Sequence, residues 1–186
     1  SFYPAKNLGA WGDGGAVTTN DRTLPEKISR MINYGQVKKY HHAELGWNSR
    51  LDTLQAVVLS EKIKLLDQWN EQRRIAASWY YELLQDKEVT TYHESNENEA
   101  VHHLFVVTLK NREQMIEKLL DAGIPTGIHY PVPIHKHECF ADYPFTQGKC
   151  FPVAEEQASH LLSLPMHPNL KESEVEMVCE TIKAHI

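Results

Sequence analysis

The sequence has no surplus of basic residues: 19 Lys and Arg stand against 25 Asp and Glu, a net charge of −6 at pH 7. Nucleic-acid binders gather cations on one face to meet phosphates, so that class is disfavoured. There is no run of eighteen or more apolar residues, and none of the sequence reads as a membrane span. No basic leader with an apolar stretch is visible, so the reading expects no export. Cysteine is scarce. Cys139, Cys150 and Cys179 are odd in number and form no close framework, which points to a reducing cytoplasm. Internal repeats and low-complexity tracts are also missing.

What remains is ordinary soluble-protein material: 186 residues, 41% hydrophobic and 24% charged, about one domain in length. Residues 16–20 (AVTTN) read as a short strand. Thr23-Leu24-Pro25-Glu26 has the form of a capping box, followed by an apolar face at Ile28, Met31 and Ile32 and a stop at Gly35. The stretch QVKKYHHAELGWN has no period and reads as an irregular loop. Ser49 to Asp52 gives a second capping signal ahead of the longest helical pattern, roughly Thr53 to Gln85. Its apolar positions recur at three- and four-residue spacing, and a straight helix of that length would span roughly 45–50 Å. A helix so long outruns one small domain, so it is expected to link two lobes or to bend. Beyond it come a polar loop, HESNENEA, strand-like HHLFVVTL, a helix over 111–122 stopped by Gly123, and strand-like PTGIHY. An irregular segment rich in Pro and aromatics follows. A short helix over 154–162, the turn LPMHPNL and a closing helix from Glu172 complete an α/β pattern.

The chemistry concentrates at the start, SFYPAKNLGAWGDGG, which reads as the middle of a larger domain. A reactive lysine needs an amine held near a partner and partly desolvated. Phe2, Tyr3 and Trp11 offer an apolar wall for Lys6, Ser1 a hydroxyl, and the glycines close backbone approach. The same residues also describe an exposed lysine beside a turn. Gly14 and Gly15 read as a tight turn into a strand, since a lone GDGG is weak as a phosphate-binding motif. His135, His137, Cys139 and Cys150 do not make a four-ligand set with zinc spacing, and no metal is expected.

SFYPAKNLGAWGDGGAVTTND resembles the Schiff-base segment of the pyridoxal phosphate (PLP)-dependent sugar aminotransferases of the DegT/StrS group, in the aspartate aminotransferase superfamily. The likeness continues through KYHHAELGWNSRLDTLQAVVL, IHYPVPIH and SLPMHPNL, and so covers essentially the whole chain. Family members run to about twice this length. The resemblance therefore implies a C-terminal half: the end of the large PLP-binding α/β domain over 1–50, a long linking helix over 51–86, and a small α/β domain over 87–186.

Residue by residue, the resemblance makes Lys6 the Schiff-base lysine and proton shuttle, and Ser1 a hydrogen-bond partner of the PLP phosphate. It makes Asn48 a donor to the phosphate of a neighbouring subunit's PLP, and hence implies a homodimer with shared sites. Asn48 is equally placed to cap the following helix. Tyr40 falls on a loop near the nucleotide sugar, and Tyr130 and His135 fall on a proline-stiffened segment at the substrate entrance. Arg50 and Asp52 read as structural. One branch of the family carries histidine where Lys6 stands and dehydrates its substrate; the lysine points to amino transfer. The implied activity moves an amino group, from glutamate, onto a nucleotide-linked keto-sugar. The alternatives are a non-catalytic regulatory or dimerisation fragment, and an aminotransferase acting on an amino-cyclitol.

Overall fold

The structure, a computed structural model, describes residues 1–95 and 97–186. Its contacts divide the chain into two units, Ser1–Asp67 and Gln68–Ile186.

In the first unit, α1 (Leu24–Met31) begins at Thr23 with a proline in its first turn. The expected capping box does not form. The Thr23 hydroxyl donates to Asp21 at 2.7 Å, and Glu26 pairs one turn on with Arg30 at 2.7 Å. After α1 the chain reverses through Tyr34 and Gly35, both at positive φ. A Cβ on Gly35 would lie 1.7 Å from the Glu44 carbonyl oxygen, so this crossing demands glycine. The segment expected to be irregular contains a small antiparallel pair, β1 (Gln36–Lys38) and β2 (His41–His42), with a register shift between Gln36 and Lys38. Residues 16–20, expected to be a strand, join no ladder among the described residues.

The long helical pattern is two helices. α2 (Thr53–Lys62) and α3 (Leu66–Leu83) are separated by a 3₁₀ turn over Ile63–Leu65. Ser49 lies too far ahead to cap α2, whose N-cap position is Asp52, with no side-chain capping bond.

The second unit has one antiparallel sheet in the order β3-β4-β5. β4 (Phe105–Leu109) is central, pairing Val89 with Leu109 on the β3 (Val89–Thr91) side and Phe105 with Leu164 on the β5 (Leu161–Leu164) side. Its alternation puts Phe105, Val107 and Leu109 on the core face. They pack with Ala76, Ala77 and Tyr80 of α3, Met115 and Leu119 of α4 (Arg112–Asp121), and Val175, Val178, Cys179 and Ile182 of α6 (Glu172–Lys183). Full burial of a side chain such as Val107 or Leu162 is worth about 1.5–3 kcal/mol each. Gly123, at φ +76°, ends α4 as expected. Its N–H donates to the Leu120 carbonyl, and that of Ile124 donates to Leu119, the Schellman pairing.

Two expectations fail here. The helix read over 154–162 is α5 (Pro152–His160) and stops before Leu161. Leu161–Leu164 turns extended because pairing with β4 buries Leu162 and Leu164, so tertiary packing overrides the helix preference of leucine. PTGIHY is not a strand but a single bridge, Gly127 to Ser163. Pro125 and Pro131 bracket it, and neither can donate to a ladder. The expected loop over 93–100 joins no strand or helix at its described residues; Asn96 lies outside them. Among the described residues no helix is long and apolar enough to cross a membrane.

Candidate active site

Lys6 sits on a loop whose shape follows from its sequence. Tyr3-Pro4-Ala5-Lys6 closes a turn in which the Lys6 N–H donates to the Tyr3 carbonyl at 2.8 Å. Proline at the second position pre-sets the backbone for that turn. Gly9 then passes so close that a Cβ there would lie 2.2 Å from the Pro4 carbonyl oxygen. Two long-reaching backbone bonds tie the loop shut, Phe2 N–H to Gly14 and Ala10 N–H to Phe2, both 2.8 Å.

Helix α2 anchors the loop from outside. Lys62 Nζ donates to the Gly9 carbonyl at 2.6 Å, and the Trp11 N–H donates to Gln55 Oε1 at 2.8 Å. Leu51 closes over Gly14, where a Cβ would meet its Cδ1 at 2.9 Å. Sequence reading missed Gln55 and Lys62, because helical spacing does not tell which polar side chains reach back to an earlier loop.

Lys6 itself is half-buried, and among the described residues its amine makes no ion pair or side-chain hydrogen bond. Of the expected aromatic wall, Phe2 is half-buried, whereas Tyr3 is 55% and Trp11 79% exposed. The segment docks through backbone groups and leaves the latter two rings to solvent. Ser1 is exposed, and its Oγ accepts the Tyr3 N–H at 3.2 Å, which leaves its hydroxyl hydrogen to donate elsewhere.

Asn48 bridges to Asn33 and is exposed. Its Oδ1 accepts from Arg50 Nε at 3.2 Å, a bond that does not use its amide hydrogens. Arg50 also reaches Asn33 Oδ1 at 3.3 Å. Asn48 lines a cleft of about 760 Å³ with Gly14, Gly15, Arg50, Leu51 and Asp52; Ser1 and Lys6 do not line it. Tyr40 stands at the tip between β1 and β2, at φ +67° and 81% exposed, with the Lys39 ammonium 5.3 Å from its ring centre.

Tyr130 and His135 belong to the second unit. Tyr130 is 69% exposed, next to His129, whose Nδ1 pairs with Ser163 Oγ at 2.8 Å. The His135 side chain is only 9% exposed; Nε2 donates to Glu155 Oε1 at 2.9 Å, and its ring packs on Phe151 at 4.8 Å. Hydrogen bonds from His135, the Phe151 N–H and Lys136 hold the Glu155 carboxyl down to about 2. Among the described residues no group of three or more His, Cys, Asp or Glu is arranged to hold a metal ion.

The donor chemistry of the first unit fits an anionic, aldehyde-bearing cofactor. The amine of a half-buried lysine, a hydroxyl with a free hydrogen and the amide of an exposed asparagine are what a phosphate and a carbonyl would meet.

The α/β fold has close counterparts among solved aminotransferases. DesV from S. venezuelae, solved in complex with a ketimine intermediate, is 38% identical, with a TM-score of 0.92 over 98% of this chain and 49% of that one. The protein matches the DegT/DnrJ/EryC1/StrS aminotransferase family over residues 1–183 and belongs to it. The erythromycin biosynthesis sensory transduction protein EryC1 of Saccharopolyspora erythraea is 45% identical over 99% of this chain and 50% of its own length. The dTDP-3-amino-3,6-dideoxy-alpha-D-galactopyranose transaminase of Aneurinibacillus thermoaerophilus is 43% identical over all of this chain and 55% of its own. NtdA from Bacillus subtilis, solved with bound cofactor PMP, is 28% identical, with a TM-score of 0.82 over 98% of this chain and 44% of that one. The chain thus spans about half the length of the relatives it matches.

Proposed function

We propose that this chain is the C-terminal half of a PLP-dependent aminotransferase that moves an amino group from glutamate onto a nucleotide-linked keto-sugar. The observation that carries the reading is the Lys6 loop: a half-buried lysine on a turn fixed by Pro4 and Gly9 and anchored by α2. The sugar transaminase of A. thermoaerophilus and the PMP bound to NtdA support the substrate class and the cofactor.

In this reading residues 1–50 complete the cofactor domain, 51–86 link, and 87–186 form the small domain. Lys6 is the covalent anchor. With the cofactor bound, Lys6 Nζ would be the base that takes the proton from the donor carbon and holds it for return. The bound pyridine ring supplies the electron sink for that proton's departure. The Ser1 hydroxyl donates to the phosphate and keeps the cofactor in place while Lys6 is detached. Asn48 donates to the phosphate in a second copy's site, which makes the enzyme a homodimer; its position in a cleft without Lys6 supports that division of labour. Tyr40, exposed at its hairpin tip, and Tyr130 with His135 contact the nucleotide sugar.

A regulatory role has one observation in its favour, the sensory-transduction name of EryC1. The two readings separate on one assay. Incubating the full-length protein with glutamate and a panel of dTDP- and UDP-linked keto-sugars yields 2-oxoglutarate and an amino sugar if the enzyme reading holds. No turnover of any member, in protein that binds PLP, refutes the sugar assignment.

A further inference from the structure

Glu155 is the meeting point of two stretches of chain that sequence spacing does not connect. Its Oε1 accepts from His135 Nε2 at 2.9 Å, from the Phe151 N–H at 3.1 Å and from Cys150 Sγ at 3.5 Å. Its Oε2 pairs with Lys136 Nζ at 3.1 Å. Residues 135–136 and 150–151 are thus held to the first turn of α5 by one carboxylate. His135 and Lys136 lie in a 3₁₀ turn, Ile134–Lys136; between it and Cys150 run a second 3₁₀ turn, Glu138–Phe140, and the Thr146 turn, none of which belongs to the sheet. The Phe151 ring, whose own N–H is held by Glu155, packs at 56° against the imidazole. His135 is therefore fixed on two sides, by a charge at Nε2 and by an aromatic face.

We propose that Glu155 is a positioning residue for nucleotide-sugar binding: it holds the 135–151 segment closed and sets the ring orientation of His135 at the substrate entrance. This rests on the reading of His135 as an entrance residue. The carboxylate accepts the Nε2 hydrogen and so leaves Nδ1 as the ring atom available to the ligand. The hydrogen bond from His135, with those of the Phe151 N–H and Lys136, lowers the Glu155 pKa and keeps the carboxylate ionised at any working pH. Glutamine at this place retains an acceptor for Nε2–H but loses the charge that draws Lys136; alanine loses both.

The test uses the PLP-loaded full-length enzyme, glutamate as donor, and whichever dTDP- or UDP-linked keto-sugar of the panel the wild type turns over. Glu155→Ala is expected to raise KM for the sugar about tenfold, and Glu155→Gln about threefold. In both, kcat and KM for glutamate stay within about twofold. In a His135→Ala background, Glu155→Ala adds less than about twofold. Nitrogen-15 NMR of the ring provides a readout apart from turnover: the hydrogen rests on Nε2 in wild type and Glu155→Gln, and spreads over both nitrogens in Glu155→Ala. If alanine prevents folding, the glutamine variant alone decides. An unchanged sugar KM in Glu155→Gln, or an equal loss for both substrates, overturns the proposal. If His135→Ala raises the sugar KM while Glu155 variants do not, only the positioning role falls. If His135→Ala leaves that KM unchanged, the entrance reading falls and takes this proposal with it.

Discussion

Replacing Tyr80 by phenylalanine isolates one hydrogen bond in the core of the second unit. Tyr80 is fully buried, stacks on Phe105 with ring centres 4.6 Å apart, and donates its hydroxyl to the Pro165 carbonyl at 2.9 Å. The phenyl ring keeps the stacking and nearly all the volume, so no cavity opens. The change removes one buried hydrogen bond and leaves the Pro165 oxygen without this donor, a cost of about 1–2 kcal/mol. For a protein near this size that is a Tm lowered by about 2–8 °C. Urea unfolding should show a lower midpoint at unchanged slope. Burial, and then the nearby Cys179 and Glu174, push the Tyr80 phenol well above its ordinary value of 10.0. The folded phenol therefore keeps its proton where the unfolded one loses it. The wild-type advantage is whole below pH 10 and declines as pH rises beyond it, whereas phenylalanine has nothing to lose there. The deficit of the variant should be constant from pH 7 to 9 and narrow above 10. A deficit under about 0.3 kcal/mol at pH 7, or one that widens above pH 10, refutes the reasoning.

Two further perturbations address other parts of the molecule. Gly9→Ala places a methyl 2.2 Å from the Pro4 carbonyl, so the Lys6 turn must open; PLP retention on dialysis of the full-length protein should fall at least tenfold, with Tm changed little, and retention equal to wild type contradicts the anchoring role. Thiol titration should proceed in the order Cys139, Cys150, Cys179: the first two are exposed, Glu155 raises the second, and burial pushes the third up to about 12. Cys179 should react only on unfolding, and a native protein that consumes three equivalents at once contradicts the core described above.

Much of the framework was legible where one local rule acted alone. The apolar periods of α1, α4 and α6, and the Gly123 stop, needed nothing beyond spacing and a left-handed residue. β5 was not legible, since LLSL is extended only because β4 offers it a partner and a core to fill. The break at Ile63–Leu65 has no proline or glycine to announce it. At the candidate site, Lys6 stood out through the likeness of its surrounding sequence and not through its composition, since the aromatic wall drawn from composition is largely solvent-exposed. Glu155 lies 20 residues from His135, and nothing in a linear pattern joins an acidic residue in a helix's first turn to a histidine so far upstream.

Lys6 is proposed as the covalent anchor of the cofactor. The direct measurement is borohydride reduction of the PLP-loaded full-length protein, followed by proteolysis and mass spectrometry. A phosphopyridoxyl group is expected on Lys6, with both the visible band and the adduct lost in Lys6→Ala. An adduct on any other lysine, or a band that persists unchanged in Lys6→Ala, contradicts it.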